Sequence, residues 1–215
     1  MTGPRTRPPL RLSDAGDAKP AWITLLTTEH YNLQTQRAAT IGEANGRASI
    51  FLGALSAGLI ALGFQGAATG RTAGTTIFEV LVLSSLAFLG VVTFVRCVEI
   101  SLDDWQFALR ITALRAAYTQ LVPELADLLL AATGTEQATA MLTDRRQRFQ
   151  LLLSVAGSIG VITSIVAGSD IGALTYGVGA PLAAALSAGT ITALLAAGGT
   201  IRFHRARWKG SATPA

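Results

Sequence analysis

Charge is the scarcest property of this 215-residue sequence: 14% of the residues are charged, half are hydrophobic, and the mean hydropathy is +0.46. That balance points away from an ordinary water-soluble domain and toward a chain whose solvent is lipid. Cysteine occurs once, as Cys97, which excludes an internal disulfide. The two histidines, His30 and His204, lie far apart, which argues against a histidine-based metal site. No Gly-x-Ser-x-Gly elbow, paired-cysteine zinc spacing or His-Glu-x-x-His helix occurs. The stretch Gly66 to Thr72 has neither the glycine spacing nor the lysine of a phosphate loop, and reads as a turn. Residues 1 to 20 have no apolar stretch of the kind a signal peptide needs, and their Pro, Arg, Asp and Gly content suits a disordered tail. These gaps leave a non-enzymatic protein with no cofactor, and no nucleic-acid partner is expected.

What is present is long uncharged sequence. Ala48 to Gly70, Phe149 to Ser169 and Ile171 to Ile201 carry no charge, and Thr72 to Val95 carries one, Glu79, near its start. Crossing the hydrocarbon takes roughly 20 helical residues. The expected fold is therefore an all-α integral membrane protein with four transmembrane helices in two hairpins, spans at about 48–67, 75–95, 149–168 and 182–201, and cytoplasmic helical extensions. Around these spans lie a polar tail (1–27), a first helix and hairpin (28–97), a helical segment (98–148), a second hairpin (149–203) and a basic tail (204–215). Six basic residues precede the first span, six lie between spans two and three, and four follow span four, while the two remaining connections share only Arg71. By the positive-inside rule both termini and the central segment are cytoplasmic, in a bacterial inner membrane. Fifteen arginines against two lysines, with abundant alanine and glycine, suggest a bacterium with a GC-rich genome. The glycines near the outer ends, Gly66, Gly70 and Gly74, then Gly168, Gly172, Gly177 and Gly179 with Pro181, read as tight outer loops.

Residues 28 to 47 lack proline and are expected to run as a helix straight into the first span. Phe107, Ile111, Leu114, Tyr118 and Leu121 recur at helical spacing, which predicts a stripe in need of a partner helix. Pro123 ends that helix, Glu124 to Ala132 forms a short second one, and a third, with Thr133 and Glu136 at capping-box spacing, leads into span three. Small residues four apart, among them Gly53, Ala57, Gly58, Gly160 and Gly189, favour close helix approach, either within the bundle or between copies. Glu79 reads as the only ionisable residue inside a span, either an interfacial acid or the lining of a permeation path. Arg145, Arg146 and Arg148 share a side and depth with Arg202, Arg205 and Arg207, so together they are candidate contacts for anionic lipid or an anionic ligand.

The passage Glu43-Ala44-Asn45-Gly46-Arg47-Ala48-Ser49-Ile50-Phe51-Leu52-Gly53, a polar and basic helix end passing directly into a small-residue span, resembles the first-span entry of small bacterial membrane effectors. These are the SLATT-domain proteins and the transmembrane effectors of Pycsar antiphage systems, and the similarity of layout covers residues 28 to 150. The resemblance implies an effector whose cytoplasmic helices sense a nucleotide or protein signal and whose spans assemble to breach the inner membrane during phage defence. Expected partners are the lipid bilayer, further copies of the chain, and a cytoplasmic protein or nucleotide ligand. Two alternatives remain open: a membrane-anchored scaffold that binds a cytoplasmic partner through the 102–121 helix, and a small ion- or proton-coupled transporter built on Glu79.

Overall fold

The computed structural model describes residues 19–69, 72–121 and 154–211, and these are helical throughout apart from their connections and caps. Four helices follow in order: α1 (Lys19–Thr69), α2 (Ala73–Leu121), α3 (Val155–Gly177) and α4 (Leu182–Ser211). Each is long and apolar enough to cross a membrane. The expected helices between Pro123 and Phe149, including the Thr133 and Glu136 cap, lie outside the described residues. α1 begins at Lys19 rather than at Thr28, with Pro20 in its first turn, where proline is tolerated because the N–H groups there have no intrahelical partner. It then continues without a break through Gly42, Gly46 and Gly53.

Contacts divide the chain into two compact units, one of Met1–Ala38 with Gln106–Met141, the other of Ala39–Trp105 with Leu142–Ala215. In the first, Leu33 and Ile111 are buried, and the Tyr118 ring stands edge-on to His30 at 6.3 Å. The Tyr118 hydroxyl donates to Thr27 Oγ1 at 3.4 Å. The stripe on α2 therefore meets its partner helix within the chain, in the first turns of α1.

In the second unit helices consecutive in the chain run antiparallel. α1 meets α2 where Gly58 faces Val82 and Leu86, α2 meets α3 where Gly90 faces Thr163, and α3 meets α4 where Gly168 faces Gly189. Two small clusters form the interior, one around Phe51, Phe94, Val98 and Ile159, the other around Leu83, Leu86, Val166 and Ala173. One end of this unit carries the helix connections and is called the turn end below; the other is the basic end. Hydroxyl groups on these apolar helices bond back to their own backbone, as when Thr93 Oγ1 donates to Leu89 O at 2.8 Å and Ser164 Oγ to Gly160 O at 2.7 Å. Such back-bonding lets a polar side chain sit in an apolar setting without an external partner.

The helix starts are capped by their own sequence. Thr72 Oγ1 accepts from Thr75 N–H at 3.2 Å while Thr72 N–H donates to Thr75 Oγ1 at 2.8 Å, a reciprocal box that starts α2. Ser154 caps α3 by accepting from Gly157 N–H at 3.1 Å. α3 ends at Gly177 and the chain turns through Gly179, whose φ of +91° suits glycine. The outer loop expected from Gly168 onward is thus shorter than the sequence suggests. Gly168 and Gly172 lie inside α3, not in a loop, because their missing side chains serve close approach to α4: a Cβ on Gly168 would come within 2.5 Å of Gly189 O, and one on Gly172 within 3.3 Å of Ala185 O.

Candidate functional site

Moving the end of α3 from 168 to 177 changes the inventory of acids inside apolar helices. Asp170 now falls within α3, so Glu79 is not the only ionisable residue in a candidate span. Ser84 Oγ donates to Asp170 Oδ2 at 2.6 Å across the α2–α3 contact, while Asp170 Oδ1 is buried with no hydrogen-bond partner. Two turns away on the same helix, Thr163 is buried and its Oγ1 also lacks a partner. The α2–α3 contact accordingly carries polar groups within the apolar stretches of its helices. Sequence reasoning passed over Asp170 because it interrupts two uncharged tracts at a glycine-rich place; the length of apolar sequence on both sides was the available signal.

Glu79 is half-buried and lines a groove of about 390 Å³ with Gly168, Gly172 and Tyr176 of α3 and Gly189 and Ala193 of α4. A larger open cavity of about 930 Å³ lies at the turn end between Thr76, Ile77 and Val80 of α2 and Leu174, Pro181 and Leu182. Its walls are mainly aliphatic.

The basic end is tied by ion pairs that run across three helices. Glu43 Oε1 accepts from Arg47 Nε at 2.9 Å and pairs with Arg96 Nη2 at 3.3 Å; Arg96 Nη1 pairs with Glu99 Oε2 at 3.3 Å, and Glu99 Oε1 with Arg207 Nη2 at 3.6 Å. All are well exposed, so each adds little to stability by itself. The hydrogen bond from Arg47, followed by the charge of Arg96, holds the Glu43 carboxyl below the ordinary carboxylate range even though partial desolvation opposes this. Beneath this chain His204 is buried, edge-on to Phe94 at 6.5 Å and beside Trp208 at 6.3 Å, and Trp105 stacks obliquely on Trp208 at 5.8 Å. Burial lowers the pKa of His204 and raises that of the Cys97 thiol.

The residues singled out from sequence divide accordingly. Gly58, Gly160 and Gly189 occupy helix contacts: Gly160 faces Phe94 and Thr200, and Gly189 faces Gly168 and Gly172. Gly53 and Ala57 do not, for Gly53 has open space around it and Ala57 is exposed. On the stripe, Ile111 is buried and Phe107, Leu114 and Tyr118 are half-covered, with Arg110 placed over the Phe107 ring at 6.0 Å. Of the six arginines, Arg202 and Arg205 are exposed, Arg207 pairs with Glu99 and lies over Phe203 at 5.5 Å, and Arg145, Arg146 and Arg148 lie outside the described residues. Against protein-family models, curated proteins and solved structures, the chain finds no match.

Proposed function

We propose that the chain is a multi-pass protein of a bacterial cytoplasmic membrane, both termini inside, that associates with copies of itself through α1. It acts without catalysis, opening the membrane when the unit containing Leu33 and Ile111 receives a cytoplasmic signal. One observation carries this reading. In its most apolar window α1 is only 6% buried, against 44% for α3, although both are rich in small residues at four-residue spacing. Ile50, Ile60 and Phe64 stand exposed around Gly53 and Ala57, a surface that suits lipid in one state and a second α1 in another. The resemblance of the 43–53 passage to small membrane effectors supports the same direction.

Subunit number in detergent, read together with membrane potential in cells expressing the chain, tests the proposal. The expected result is an oligomer that depolarises cells, with Gly53→Leu shifting the population to monomer and abolishing depolarisation. A wild-type monomer at every concentration, or an intact potential in an activated cell, overturns it. A second reading, a scaffold that binds a cytoplasmic protein, is favoured only by the half-covered Phe107 and Leu114. It requires partner capture to depend on those two side chains with no ion leakage.

A further inference from the structure

At the basic end α4 has two unlike sides. His204, which is buried, and Arg207, which pairs with Glu99, lie on one of them. On the other, Ile191, Leu195, Gly198, Arg202 and Arg205 recur at spacings of four, three, four and three, which places them on a single stripe. Ile191 and Leu195 are 57% and 72% exposed, and Arg202 and Arg205 are exposed below them. Between the two pairs, Gly198 and the adjoining Gly199 have nothing within 4 Å of where a side chain would begin, which leaves a notch in the surface. Neither arginine has an acid partner among the described residues. No Asp or Glu occurs in 171–215, and both Glu99 oxygens are taken, one by Arg96 and the other by Arg207.

We propose that this stripe of α4 seats one anionic phospholipid, its phosphate on Arg202 and Arg205 and an acyl chain running across the Gly198 notch along Leu195 and Ile191. Depth, charge and shape agree. Arg202 is the first charge after the uncharged tract Ile171 to Ile201, so it stands where hydrocarbon gives way to headgroups. Its guanidinium and that of Arg205, one turn on, are donor forks matched to phosphate oxygens. A free anion would gain those exposed contacts alone, whereas a lipid adds apolar contact along the rest of the stripe; the occupant is therefore a lipid. The inference rests on the membrane reading above and is independent of self-association through α1.

Native mass spectrometry of the full chain extracted in detergent tests it, with phosphatidylglycerol and phosphatidylcholine of identical acyl chains as probes. Wild type is expected to retain phosphatidylglycerol in preference. Arg202→Gln and Arg205→Gln should each weaken that binding about fivefold, the contribution of one basic residue at an anionic membrane surface. Arg207→Gln, on the opposite side, should leave it unchanged. Gly198→Leu fills the notch without altering charge and should weaken binding with both arginines in place. Inorganic phosphate at the concentration of the lipid should not displace it. Equal retention of the two lipids by wild type, undiminished phosphatidylglycerol binding in the double arginine variant or in Gly198→Leu, an equal loss in Arg207→Gln, or displacement by phosphate overturns the proposal. A chain recovered without detergent fails the membrane reading itself, whereas equal retention by the detergent-extracted chain fails this inference alone.

Discussion

α1 and α3 carry the same kind of sequence and meet opposite circumstances. Each has glycine and alanine at four-residue spacing within an apolar helix. In α3 those residues are pressed between α2 and α4, with Gly168 and Gly189 backbone to backbone, whereas in α1 Gly53 has nothing within 4 Å and, among the described glycines there, only Gly58 faces a neighbouring helix. A small-residue motif therefore states that a helix can be approached closely; it does not state by what. The approaching helix for α3 is supplied within its hairpin; on α1 only the Gly58 side meets α2, and the Gly53 side faces open space.

The contrast can be broken most sharply at its two extremes. Gly168→Ala is expected to have the largest effect, a loss of about 1–3 kcal/mol, because the added methyl meets the Gly189 backbone, which has no rotamer through which to yield. Thermal unfolding in detergent measures it, and an unchanged midpoint would show that the α3–α4 seam is looser than its geometry. Gly179→Ala should cost about 1 kcal/mol by the same measurement, since its φ of +91° strains any other residue. Gly58→Ala falls lower still, because the group in the way is the tip of Leu86, which can rotate aside. Gly53→Ala inverts the sign: with open space and a helical backbone, the substitution should stabilise the monomer by up to ~1 kcal/mol. Destabilisation there instead would mean that α1 is already covered in the detergent-solubilised state.

The smallest effect belongs to the basic end. Glu43 has its carboxyl pKa lowered by Arg47 and Arg96, so its contribution is present at neutral pH and is lost as pH falls through and below the ordinary value of 4.5. Wild type and Glu43→Gln should thus differ slightly in midpoint at pH 7 and converge under acid. A constant difference would assign the effect to something other than this ion pair.

Four apolar helices, their hairpin pairing and the uninterrupted passage from residue 28 into the first span are legible in the sequence because hydrophobicity and helix length are local properties. The stripe through Phe107, Ile111, Leu114 and Tyr118 was legible as a face in need of a partner, but sequence could not name α1 as that partner. The end of α3 differs from the sequence expectation for a physical reason: in water, Gly168 and Gly172 beside Asp170 signal a turn, whereas between apolar helices the same glycines allow contact and the acid accepts from a serine of α2. Which glycines are packed, as Gly160 is and Gly53 is not, depends on the rotation of each helix about its axis. That rotation is a tertiary quantity.

The turn between α3 and α4 satisfies its own backbone: the amides of Val178, Gly179 and Ala180 donate to Leu174, Tyr176 and Thr175, and Pro181, which has no amide hydrogen to place, accepts from Ala184. The bend that returns α4 onto α3 is thus specified by residues of the connection and the helix ends on either side of it, with no backbone bond, among the described residues, borrowed from α1 or α2.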